Sequence, residues 1–176
     1  TNGFLAHSAT VNVVNSASLL KSVKYTVVGS ANMADLKNAV LKINGVVAAT
    51  SPTIGSGGTV TFIPASDVRL TTGNSTLEVY VDVMGSPNRT MAWNLLKPYE
   101  AIFKDTQYNA NVTPSTSGSP TTVTINQGRV TISKATDSPT ATVPAGASNV
   151  TLAKFTFYAG GEPVKVRFLP VRLTRS

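Results

Sequence analysis

Cysteine is absent from the 176 residues. Disulfides, thiolate metal sites and cysteine nucleophiles are therefore excluded. A single histidine, His7, is present. A metal or catalytic role would need partners for it, and none exist, so a surface residue is expected. Charge is also sparse. Asp, Glu, Lys and Arg supply 13% of the chain, about half the usual share. Glu78 and Asp82 would lie on one strand face, roughly 13 Å apart at about 3.3 Å per residue. That separation suits neither glycosidase geometry well. Asp67, Asp105 and Asp137 fall near loops, but no acidic run of the calcium-loop type surrounds them. No nucleophile–base pair or ligand set emerges. Neither enzymatic activity nor a cofactor or metal is expected.

Long apolar runs are missing as well. No stretch approaches the ~18 residues of a spanning helix, so no membrane span is expected. The chain opens on Thr1, which fits a mature product or a piece of something longer. The net charge of +7 raises the question of nucleic acid. The basic residues, however, are dispersed along strands, as at Lys24, Lys42, Lys154, Lys165, Arg167 and Arg172. No cluster and no nucleic-acid motif accompanies them. Basic residues on sheet edges discourage aggregation, and they would also favour an acidic partner surface or anionic polymer.

What the chain has is threonine, serine and valine in alternation. Apolar residues reach 41%, enough for a core, and the composition favours strands with an uncharged polar surface. The clearest strand is 75–83, "STLEVYVDV". It places Leu77, Val79, Val81 and Val83 inward and Glu78, Tyr80 and Asp82 outward. Residues 8–14, 22–29, 59–63, 89–96, 121–125 and 128–133 read as further strands, at the spacing of an all-β sandwich. Trp93 shares the inward parity of Met91 and Leu95 and reads as core. Tyr80 is the best exposed aromatic. Helix is scarce: "NMADLKNAV" (32–40) allows a turn or two capped by Asn32. It leads to a hairpin at Asn44-Gly45.

Two strands near the C-terminus break their own alternation. In "NVTLAKFTFYA" (149–159), Val150 and Leu152 share one face and Phe155 and Phe157 take the other parity. In "PVKVRFLPVRL" (163–173), Val164, Val166 and Phe168 are followed by Leu169, Val171 and Leu173 in the same way. A one-residue parity shift is the signature of a β-bulge.

The stretch "SPTATVPAGASNVTLAKFTFYAGGEPVKVRFLPVRL" (138–173) resembles the immunoglobulin-like modules repeated in tandem in large bacterial surface and S-layer-like proteins. Segments usual later in such modules stand earlier here: "ADLKNAVLKINGV" (34–46), "GTVTF" (58–62) and "STLEVYVDV" (75–83). The resemblance implies an all-β, immunoglobulin-like sandwich. Residues 1–112 would form one full module, 113–120 ("TPSTSGSP") a linker, and 121–176 a second, incomplete one. Such a half-module could come from a tandem array, be completed by another chain, or pack on the first module as extra strands. The expected interface is Phe155, Phe157, Val164, Val166, Phe168, Val171 and Leu173. The expected function is a non-enzymatic subunit of an extracellular filament, sheath or S-layer-like assembly. Its partners would be other copies of itself, joined by strand complementation. The alternative is an adhesin, or a module binding a cell-surface glycan, within a larger surface protein.

Overall fold

The computed structural model describes every residue except 118, 141, 162 and 173–176. The chain is all-β and divides into two units, Thr1–Ile125 and Asn126–Ser176. The first unit is a sandwich. One layer is a four-stranded antiparallel sheet ordered β1 (Phe4–Val13), β7 (Gly73–Val83), β3 (Leu36–Ile43) and β4 (Val46–Thr53). The other is built around β2 (Ser18–Gly29).

β2 is hydrogen-bonded along both edges. On one side it pairs with β6 (Val68–Leu70) and then β5 (Thr59–Phe62). On the other it pairs with β9 (Ala101–Asp105) and then β8 (Thr90–Asn94). Two short strands finish that sheet: β10 (Asn111–Val112) on β9 and β11 (Val123–Thr124) on β8. β2 bulges between Leu20 and Ser22, within its pairing to β9. The bulge turns the inward set from Ser18 and Leu20 to Val23, Tyr25 and Val27.

The core lies between these layers and follows the strand parity. Leu77, Val79, Val81 and Val83 of β7 are all buried, as are Leu36, Ala39, Leu41 and Ile43 of β3. Trp93 is 1% exposed. It packs edge-to-face on Tyr25 with ring centroids 6.1 Å apart, and Tyr25 meets Phe62 at 6.4 Å. Such pairs add about 0.5–1.5 kcal/mol each beyond area burial. Among the described residues the Trp93 indole N–H has no hydrogen-bond partner, an offset of about 1–3 kcal/mol. Packing therefore holds Trp93 in place, not its polar atom.

The helical stretch expected over 32–40 shrinks to a single 3-10 turn, Met33–Asp35. Asn32 caps it, its side chain accepting from the Ala34 N–H at 3.1 Å. From Leu36 onward the apolar residues alternate, so pairing with β7 wins over helix. Gly29 closes β2 at φ +129°, and a Cβ there would meet the Thr90 carbonyl oxygen at 2.3 Å. That carbonyl accepts from both Ser30 and Ala31 N–H at 2.9 Å, so it cannot move freely.

The segment 113–120, expected to separate two modules, runs inside the first unit between β10 and β11. Residues 121–125 belong there too. Val123 and Thr124 pair with Met91 and Thr90. Ile125 donates to the Arg89 carbonyl and accepts from the Asn88 N–H, both at 2.8 Å. The boundary thus follows Ile125, because β8 offers a free edge that 121–125 fills.

Two substitutions test this architecture in denaturant unfolding. Val81→Ala is expected to cost on the order of 1–3 kcal/mol, from lost burial and the cavity left behind. Gly29→Ala is expected to cost at least about 2 kcal/mol, because the strained φ and the Thr90 carbonyl both oppose a Cβ.

Candidate functional site

The residues expected to form an interface lie in the second unit. Its ordered part is a two-stranded antiparallel sheet of β12 (Arg129–Lys134) and β13 (Phe155–Gly160). The long loop between them is tied at its base. The Ala135 N–H donates to the Lys154 carbonyl at 2.9 Å, and the Lys154 N–H donates to Ser138 Oγ at 3.0 Å. The Lys154 ammonium also meets Asp137 at 2.7 Å.

Directly opposed residues share a face. Ile132 opposes Phe157 and Val130 opposes Ala159, so Val130, Ile132, Phe155 and Phe157 gather on one side of the hairpin. All four are exposed, Phe155 by 54% and Phe157 by 42%. Val164, Val166, Phe168 and Val171 are exposed as well, Phe168 by 83%. Each large apolar side chain left in water forgoes about 1.5–3 kcal/mol of burial. Residues 163–172, expected as a strand, form no regular structure. No strand of this unit, among the described residues, pairs with them, and a strand without a ladder is not held. Leu173 lies outside the described residues.

In the first unit the polar clusters hold the fold together. The Asp105 carboxylate accepts from the Gln107 and Tyr108 N–H groups at 2.7 and 2.8 Å, and from the Ser16 hydroxyl. The Ser16 hydrogen bond, with those of Tyr108 and Gln107, lowers its pKa. Asp82 accepts from the Asn38 amide at 2.8 Å and the Gly3 N–H at 2.7 Å, which lower its pKa likewise. Asp67 pairs with Lys21 at 2.7 Å. Among the described residues, no three His, Asp or Glu side chains gather as a metal site. Tyr80, the candidate stacking aromatic, lies under the Lys42 ammonium, 4.2 Å from the ring centroid.

His7 departs from its expected place on the surface. β1 bulges between Leu5 and His7, and the bulge turns the imidazole inward against Tyr25, with centroids 5.2 Å apart. Desolvation lowers its pKa from the ordinary 6.5. Beside it lies a groove of about 270 Å³ lined by Leu5, Ala6, His7, Ser8, Ser119, Thr121 and Val123. The groove lies between Leu5–Ser8 of β1 and Ser119, Thr121 and Val123, and β1 is the terminal strand of its sheet. The sequence held one sign of this edge that went unread: Phe4–Val13 contains no Lys, Arg, Asp, Glu or Pro. Such residues are the usual protection of an edge strand.

Comparison with protein-family models, with curated proteins and with solved structures finds no match for this chain.

The lowered His7 pKa has a consequence with a definite sign. A group whose pKa is lower in the fold stabilises it fully above the unfolded value, and that contribution is lost as pH falls. Stability of the first unit should therefore decline below about pH 6.5, and again near pH 4 and below as Asp82 and Asp105 protonate. Urea midpoints measured from pH 7.5 to 5 should show the first decline. His7→Phe, which keeps a ring against Tyr25, should flatten it.

Proposed function

We propose that this chain is a non-enzymatic structural piece of an extracellular assembly, a filament, sheath or S-layer-like array. In it, strands of one copy complete the unfinished sheet of another. The observation that carries the reading is the β12–β13 hairpin. It is a two-stranded sheet with Val130, Ile132, Phe155 and Phe157 open to solvent. Two strands alone are marginal in water, and an apolar face of this size calls for a cover.

The first unit supports the same reading from the other side. Its core is well packed, yet the sheet ends on an undefended strand, β1. Donor and acceptor on one chain make a heterologous contact, which repeats without closing. The resemblance of 138–173 to tandem immunoglobulin-like modules of bacterial surface proteins fits an extracellular setting. The adhesin alternative depends on exposed aromatics: Tyr80 lies under Lys42, while Tyr99, Tyr108 and Tyr158 are exposed but lie on separate segments.

Sedimentation velocity over a concentration series tests the proposal. The full chain should sediment as oligomers that grow with concentration, and Val130→Ser with Ile132→Ser should shift them toward monomer. A chain that stays monomeric throughout, or is retained as a monomer on a polysaccharide column, contradicts it.

A further inference from the structure

The two ends of the chain repeat one pattern. In β1 the inward parity shifts at the bulge: Phe4 and the buried Ala6 precede it, and His7, Ala9 and Val11 follow by twos. Around β13 the apolar parity shifts at the matching place, from Leu152 to Phe155, then Phe157 and Ala159, with Lys154 standing where β1 has Ala6. The next strand agrees. β2 runs inward at Ser18 and Leu20, then Val23 and Tyr25, and the C-terminal stretch carries Val164 and Val166, then Leu169 and Val171. By this pattern β13 is the counterpart of β1. β13 has a partner, β12, that β1 lacks.

The backbone of β1 presents pairing groups for it. Thr76 of β7 gives its carbonyl to the Asn44 N–H at 2.9 Å and its N–H to the Asn44 side chain at 2.8 Å. Both groups therefore point toward β3. Thr76 opposes Thr10, so theirs is a non-hydrogen-bonded pair, and the Thr10 N–H and carbonyl point the other way. Ser8, Thr10 and Asn12 thus turn their backbone groups to the open edge. β13 obeys the same parity. Lys154 accepts from Ala135, so Lys154, Thr156 and Tyr158 face β12, and the last two correspond to Ser8 and Thr10.

We propose that the outer edge of β1 accepts the β12 strand, Arg129–Lys134, of a second copy of this chain. The inference rests on the assembly reading above and specifies its contact. The strand runs antiparallel to β1 in the register it has on β13. Ser133 then opposes Ser8, Ile132 opposes Ala9 and Val130 opposes Val11. Ile132 and Val130 fall on the inward face, where Ala9 and Val11 are only half-buried. On β13 those two side chains stay exposed, so exchange toward β1 is favoured by burial. The strand must use the edge that β13 occupies. Through its other edge Val130 and Ile132 would land on the solvent face, because a one-residue slip reverses the faces.

The chain has no cysteine of its own, which makes cross-linking a clean test. A full chain carrying Ser8→Cys is mixed with a full chain carrying Ser133→Cys under mild oxidation. The opposed Cα atoms of such a pair lie about 5.5 Å apart, within disulfide range. The mixed disulfide should form about tenfold faster than with a Ser8→Cys and Arg129→Cys pair, which is out of register. Adding Thr10→Pro to the acceptor chain removes an edge N–H that β7 does not use. It should slow the cross-link by about tenfold while leaving the melting temperature in place. Equal rates in and out of register overturn the edge assignment, even if the chain polymerises. A register-specific cross-link in a chain that sediments no further than a dimer keeps the edge and overturns the open-ended assembly.

Discussion

The architecture depends on β2 being hydrogen-bonded along both edges. Four strands meet it, β6 and β5 on one side and β9 and β8 on the other. Its inward residues Leu20, Val23, Tyr25 and Val27 form the floor of the core. A strand so placed has no free backbone groups over most of its length, and it fixes the register of everything around it. The bulge at Leu20 to Ser22 keeps both halves of the strand facing the core, with Leu20 before it and Val23 after it turned inward. Tyr25 then joins Phe62 and Trp93 across the same layer and reaches His7 of the opposite sheet.

The second unit shows what happens without that double pairing. Residues 163–172 carry the inward pattern of β2, including its parity shift, yet no strand forms there. The local sequence is right for a strand. The partners are missing, and the ladder decides. β13 reaches strand geometry because β12 pairs with it, and it stops at Gly160, where that pairing ends. One structural rule thus accounts for the packed unit and for the exposed one.

Much of this was legible in the residues. The alternation of 75–83 gave the correct inward face, since a half-buried strand imposes a strict period of two. Trp93 was readable as core for the same reason. Five strands are not legible locally: Leu36–Ile43, Val46–Thr53, Val68–Leu70, Ala101–Asp105 and Asn111–Val112. Each is short, or its apolar residues do not alternate cleanly, as in "VVAATSPT". Their pairing comes from neighbours, not from local pattern. The polar run 113–120 looked like a linker because composition reports solvent exposure and not connectivity. It is a crossing loop, and only the pairing of Val123 with Met91 shows this. The inward turn of His7 depends on a bulge that the sequence around Leu5 and Ala6 does not announce. The sequence points to a partner over Phe155 and Phe157, because an apolar strand in a segment of two or three strands cannot be covered from both sides; within this chain both side chains are exposed.

The unfinished sheet is the central claim, and residue-resolved amide hydrogen exchange along β1 tests it most directly. Backbone parity divides this strand into groups bound to β7, such as Ala9 and Val11, and groups turned to the open edge, Ser8, Thr10 and Asn12. In dilute solution the first set should be protected and the second should exchange freely. When copies associate, protection should appear at Ser8, Thr10 and Asn12 while Ala9 and Val11 change little. If the copies associate and the exchange at Ser8, Thr10 and Asn12 is unaltered, β1 is not where one chain completes another.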